Sequence, residues 1–156
     1  MSILVYVENT DGQFKKSAFE AVSYAKAVAD QSGNQVVALS IGNVEDAQLT
    51  LLGKYGASKV LNVNTEQLKS FVNQAYAAII VDAAKSNDAS VLILSNSFSG
   101  KGLAPRVAAK LNAALADGAI ELPSATRENL QVKTGAFSGK AFALVELTSA
   151  IKVIAL

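Results

Sequence analysis

Cysteine and histidine are both absent from this chain of 156 residues. Their absence removes disulfides, cysteine nucleophiles, Ser-His-Asp triads and most zinc or haem sites together. It also fits a reducing compartment. Charge is sparse, at 17% of residues with a formal net charge of +1. With no basic run, and only four Tyr and six Phe for base stacking, no nucleic-acid-binding surface is expected. No apolar run approaches the roughly 20 residues of a membrane helix, so no membrane insertion is expected either. The opening MSILVYVEN enters a strand pattern directly, without the look of a signal or transit peptide. Hydrophobic residues make up 51% of a length suited to one core, so residues 1–156 read as a single domain.

What is present is organised around residues 90–112, SVLILSNSFSGKGLAPRVAAKLN. Residues 90–94 form a short apolar run with β-branched content, the pattern of a strand buried on both faces. Residues 95–102 hold three serines, one asparagine and two glycines, a loop able to bring backbone N–H groups close to a ligand. Leu103, Val107 and Leu111 then recur at helical spacing. Pro105 is expected in the first turn of that helix, where its missing N–H costs least.

The same alternation runs through the first two thirds of the chain. Residues 3–7, 35–41, 59–63 and 90–94 read as strands; 17–31, 44–55, 64–85 and 103–111 read as helices. Gly33 and Gly56 are expected C-caps, and Asn64 an N-cap with Gln67 three residues on. In this reading Leu68, Phe71, Ala75, Ala78 and Asp82 share one side of the third helix. Four strands alternating with four helices specify a doubly wound, mostly parallel α/β sheet. Beyond residue 112 the rhythm changes to short strands at 120–122, 130–134, 140–147 and 151–156. Gly135-Ala136-Phe137-Ser138-Gly139 suits a hairpin connection. These segments are expected to add antiparallel strands to the sheet edge.

Gly100-Lys101-Gly102 invites a phosphate-loop reading and fails it. A Walker loop needs Gly where Ser95 stands and Ser or Thr where Gly102 stands. The dinucleotide pattern fails at Pro105, which occupies the third glycine position. A generic anion or adenine-nucleotide pocket stays open. The loops at 8–9, 41–42 and 95–101 follow parallel strands, so they meet at the carboxyl edge of the sheet, with strands one and four flanking the switch point. An adenine would lie near Val7 and Ile41, and its phosphate at the N–H groups of Ser99, Gly100 and Lys101. Equally, polar turn residues need no ligand to explain them, and Lys101 and Arg106 can be solvated or paired with a protein carboxylate. Their charge near the helix start opposes the helix dipole by a few tenths of a kcal/mol to about 1. Glu45 and Asp46 suit a helix start, and Tyr55, Phe71 and Tyr76 read as core or half-buried residues on helical faces. No pair of carboxylates has a spacing suited to general acid–base work, so neither a catalytic nor a metal residue is assigned.

The stretch SVLILSNSFSGKGLAPRVAAKL resembles the signature of the electron transfer flavoprotein alpha subunit, first domain: a strand, a Ser/Thr loop with Gly and a basic residue, then L-A-P-R-x-A-x-x-L. Leu103-Ala104-Pro105-Arg106-Val107-Ala108-Ala109 matches that core without a gap. ILVYVE near the start, Gly56-Ala57-Ser58-Lys59-Val60, Gly139-Lys140-Ala141 and Lys152-Val153-Ile154 fit the same domain in the same order. Gly102 departs from it, since the family often has Asp there. The resemblance implies an adenine-nucleotide-alpha-hydrolase-like, Rossmann-like domain that supplies scaffold and docks on the beta subunit. It implies FAD in the intact protein, held mainly by a C-terminal domain and not by this chain alone. The family's nucleotide-like pocket is usually empty here, so Val7, Ile41, Ser99, Gly100 and Lys101 are candidates for a weak or vacant site. The intact protein would carry electrons from flavin dehydrogenases to a quinone reductase, in the bacterial cytoplasm or the mitochondrial matrix. A different class, a free-standing adenine-nucleotide-binding module of the stress-protein kind, lacks its phosphate-binding glycine-and-serine pattern in this sequence.

Overall fold

Strand β1 (Ser2–Val7), with sequence SILVYV, is buried at every position. Alternation sends Ile3, Val5 and Val7 into one core, and Leu4 and Tyr6 into another on the opposite face. The computed structural model describes residues 1–68, 70–126 and 129–156. After β1 comes a small hairpin, β2 (Asn9–Thr10) and β3 (Gln13–Phe14), then helix α1 (Lys16–Ser32) and strand β4 (Gln35–Ile41). Helix α2 (Asp46–Lys54), strand β5 (Lys59–Val63), helix α3 (Asn73–Ser86), strand β6 (Ala89–Leu94) and helix α4 (Phe98–Leu111) follow. The last third holds β7 (Ala114–Asp117), β8 (Ser124–Thr126), β9 (Asn129–Ala136), β10 (Ala141–Leu147) and β11 (Lys152–Ala155).

Six strands form a parallel sheet in the order β5-β4-β1-β6-β11-β7. Leu4 stands level with Val37 on one side and Leu92 on the other. Helix α1 covers one face through Ala18, Ala21, Val22, Ala25, Val28 and Ala29, and Leu52 of α2 joins this core. Helices α3 and α4 cover the other through Ala77, Ile80, Ala84, Leu103, Val107 and Leu111. Small residues on α1 let that helix approach closely, and each fully buried Val, Leu or Ile contributes roughly 1.5–3 kcal/mol. Gly33, at φ +68°, ends α1 as its sequence suggests, its N–H donating to the Ala29 carbonyl. The doubly wound architecture is as expected.

Several boundaries differ from the sequence reading. Helix α4 begins at Phe98, because Ser97 caps it, so Ser99, Gly100 and Lys101 belong to its first turn and not to a loop. Pro105 is therefore seven residues into the helix rather than in the first turn. The third helix starts at Asn73; a short 3₁₀ turn, Glu66–Leu68, precedes it, and residue 69 of the expected helix lies outside the described residues. Tyr76 is buried, but Tyr55 and Phe71 are 44% and 42% exposed, and Phe71 precedes the helix. The expected C-terminal extension of the sheet edge is corrected most. Strands β7 and β11 join the main sheet in parallel, β11 sitting between β6 and β7. The antiparallel strands β8, β9 and β10 form a separate sheet. Residues 120–122 are no strand; Ala119 makes one bridge to Thr134, and Ile120 N–H donates to the Lys133 carbonyl at 3.0 Å. The hairpin at 135–139 does form, with Phe137, Ser138 and Gly139 all at positive φ.

Candidate functional site

Strands β1 and β6 are neighbours whose chains leave toward opposite faces, the point where parallel sheets open a crevice. The sequence at the end of β1 is polar, and it stitches the crevice together. Asn9 Nδ2 donates to the Ile41 carbonyl at 2.8 Å and to Ser40 Oγ at 3.3 Å, fixing the ends of β1 and β4 side by side. The tip of the β2–β3 hairpin lies against the loop after β4. A Cβ on Gly12, at φ +77°, would stand 2.5 Å from the Asn43 carbonyl oxygen, so glycine permits this approach. Asn64 Nδ2 donates to Asn43 Oδ1 at 3.2 Å and closes a third side.

The fourth side is the start of α4. Ser97 Oγ accepts the Gly100 N–H at 2.9 Å and itself donates to Glu8 Oε1 at 2.5 Å. The Glu8 carboxylate thereby lies at the positive end of the α4 dipole, where an anionic ligand would otherwise sit. Lys101 N–H donates to the Ser97 carbonyl at 2.9 Å. Gly100 is held by sterics, since a Cβ there would lie 1.8 Å from the Ser95 carbonyl oxygen.

These elements enclose a cavity of about 660 Å³. Its apolar wall is Ile41, Leu68, Phe71 and Tyr76, and Tyr6 lines its inner side. Phe71 and Tyr76 meet edge to face with centroids 4.8 Å apart, and Tyr76 Oη donates to the Leu68 carbonyl at 3.3 Å. Glu8, Asp11 and Glu66 supply carboxylates, and among the described residues no lysine or arginine lines the cavity. Among the described residues no cluster of acidic side chains has the grouping of a metal site. Burial above all, with the Glu8 carboxylate and Tyr76 nearby, pushes the Tyr6 hydroxyl far above the usual tyrosine range. Tyr76 is raised in the same direction by burial. A monoanion about 4 Å from Glu8 would meet a repulsion of about 4 kcal/mol at an effective dielectric near 20. The cavity suits neutral or positively charged groups.

The residues that sequence brought forward part company here. Ile41 and Ser99 line the cavity. Val7 faces the α1 core and is fully buried, so the wall at that strand end is Tyr6. Gly100 lies inside the first turn of α4, and the Lys101 side chain is exposed. Arg106 and Pro105 are exposed on the outer face of α4. Tyr6 and the Glu8–Ser97 contact are absent from the sequence reading, and Tyr76, expected only as a core or half-buried residue, lines the cavity as well. Strand parity carries the missing signal: Tyr6 faces the same core as Ile41, while Val7 faces the other.

Residues 3–156 match the family model described as electron transfer flavoprotein domain. The electron transfer flavoprotein subunit alpha of Syntrophomonas wolfei is 30% identical over 92% of this chain and 44% of its own length. Protein FixB of Clostridium saccharobutylicum is 33% identical over 72% of this chain and 34% of its own. This chain thus spans less than half the length of either relative. Among solved structures, a universal stress protein from Archaeoglobus fulgidus is 20% identical with a TM-score of 0.44, covering 70% of this chain and 92% of that one. With its match running from the first strand through the last, the chain belongs to the electron transfer flavoprotein family.

Proposed function

We propose that residues 1–156 are one domain, the N-terminal scaffold of an electron transfer flavoprotein alpha subunit, and that its work is docking rather than chemistry. The intact protein would carry electrons from flavin dehydrogenases to a quinone reductase, in a bacterial cytoplasm or a mitochondrial matrix. Flavin would be held outside this domain. The crevice does not fit FAD, whose pyrophosphate would face Glu8 and Asp11 with no cation among the described lining residues. On the same grounds, the pocket formed around Ile41, Ser99 and the α4 start is weak toward nucleotides. Purified 1–156 is expected to be colourless; a stoichiometric flavin absorbance would overturn this part of the reading.

The observation that carries the docking reading is the outer face of the small sheet. On β10, Phe142 and Leu144 are 62% and 61% exposed, and Phe137 in the hairpin is 81% exposed. Ile120, 55% exposed, lies beside the same face, its Cγ2 3.7 Å from the place of a Gly135 Cβ. Lys133 Nζ sits 4.2 Å from the Phe142 ring centroid and pairs with Glu121 at 2.6 Å. Aromatic and aliphatic side chains exposed together, with charge at the margin, have the make-up of an interface core and rim. The occupant we assign is the beta subunit of the same flavoprotein. Phe142→Ser with Leu144→Ser should leave stability within about 0.5 kcal/mol, since both side chains are already in water. It should weaken assembly with a co-expressed beta subunit at least about tenfold. Unchanged assembly by sedimentation would refute this surface.

A further inference from the structure

The crevice at the β1–β6 switch point differs in chemistry from a phosphate site, and its lining says what it would accept. Glu8 faces the start of α4 through Ser97, so the place that would attract an anion carries the chain's own carboxylate. Two of the three N–H groups at residues 99–101 already donate to Ser97, one to its hydroxyl and one to its carbonyl. The opposite wall, with Phe71 edge to face on Tyr76 and Ile41 beside them, offers a surface for a flat ring. Tyr6 completes the inner wall: it lines the cavity, so its hydroxyl is a polar group open to whatever occupies that space.

We propose that this crevice binds a flat aromatic ring that carries an amino group and no anionic group, and that Glu8 is the residue that rejects phosphorylated forms. The ring stacks against Tyr76 and Phe71, and its amino donor meets Glu8 or the Tyr6 hydroxyl. This goes beyond the docking role and does not depend on it, because the apolar face of β10 and the crevice are built from different residues.

The test is amide-resolved NMR titration of the full chain with adenosine, tryptamine, AMP and inorganic phosphate. Adenosine or tryptamine should give saturable shifts at Glu8, Asn43 and Tyr76 below about 10 mM, with AMP at least about tenfold weaker than adenosine. Glu8→Gln keeps an acceptor for Ser97 while removing the charge, and should bring AMP within about threefold of adenosine. Tyr76→Ala should abolish the shifts at Glu8 and Asn43. Because Tyr76 is buried, amide dispersion of that variant must first show a native fold, and Phe71→Ala, at an exposed position, serves as the second removal of the stacking wall. The proposal fails if neither amine saturates, if AMP binds as tightly as adenosine in the unmodified chain, or if the preference survives Glu8→Gln. It also fails if Phe71→Ala binds unchanged.

Discussion

Two glycines, each in or beside a helix turn, show how much a single Cβ decides. At Gly100 the added atom would sit 1.8 Å from the Ser95 carbonyl oxygen, an obstacle of backbone that no rotamer change relieves. Gly100→Ala should therefore destabilise by roughly 1–3 kcal/mol or more, since α4 must move off the end of β6. At Gly53, exposed in α2, nothing lies within 4 Å of the new Cβ. Gly53→Ala should stabilise by about 0.5–1 kcal/mol through reduced freedom of the unfolded chain. Denaturant midpoints of the two variants should move in opposite directions. A neutral Gly100→Ala would mean the turn at residues 95–100 is looser than its geometry. Neither glycine could be ranked from sequence, where both are simply glycines near helix positions.

At the level of elements, α4 holds the clearest contradiction between local preference and tertiary structure. Pro105 stands seven residues after Phe98, where it lacks the N–H that would donate to the Lys101 carbonyl. The helix persists because Leu103, Ala104, Val107 and Ala108 are buried beneath it against the sheet. Pro105→Ala should raise stability by roughly 1–3 kcal/mol by restoring the bond and removing the ring clash. Arg106→Ala should change it by less than about 0.5 kcal/mol, since that side chain is exposed. Thermal melts of both would check this, and a destabilising Pro105→Ala would show that the proline ring is packed. The parallel order of β4, β1 and β6 was legible because each strand is a continuous apolar run between helical patterns. Strand β7 was not, because Ala114-Leu115-Ala116-Asp117 has helix-forming residues and becomes a strand only by pairing with β11. Strands β9 and β10 are readable as an antiparallel pair, but not as part of a separate sheet, and β8 lies outside the short strand expected at 120–122. What detaches them is an outer face left open to water, which no local pattern announces. The site was half legible for a related reason: the loops could be placed at one sheet edge, but Tyr6 and Tyr76 reach it only through strand parity and helix packing.

Taken whole, the molecule has two cores, one on each face of the sheet, and tyrosines held neutral around them. Tyr6 and Tyr76 face the α3–α4 side, while Tyr24 of α1 has a hydroxyl donating to the Glu121 carbonyl at 2.9 Å. Burial raises all three, and pushes the Tyr24 hydroxyl up to about 12 from an ordinary 10.0. A raised folded-state value means that the native chain holds protons which the unfolded chain releases above its own value. Stability from this source is therefore complete below about pH 10 and is lost as pH rises toward 12 and beyond. Denaturant midpoints should fall steadily between about pH 9.5 and about 11.5, an interval that opens near the ordinary tyrosine value of roughly 10. The decisive comparison is with Tyr24→Phe. That variant loses one exposed hydrogen bond, about 0.5–1.5 kcal/mol at neutral pH. In return its stability should decline less steeply than the parent's over the interval from 10 to 12, because it has no Tyr24 proton to lose. Parallel curves for the two proteins would mean that Tyr24 ionises alike in the folded and unfolded chain, and that its contact with Glu121 does not hold the proton in place.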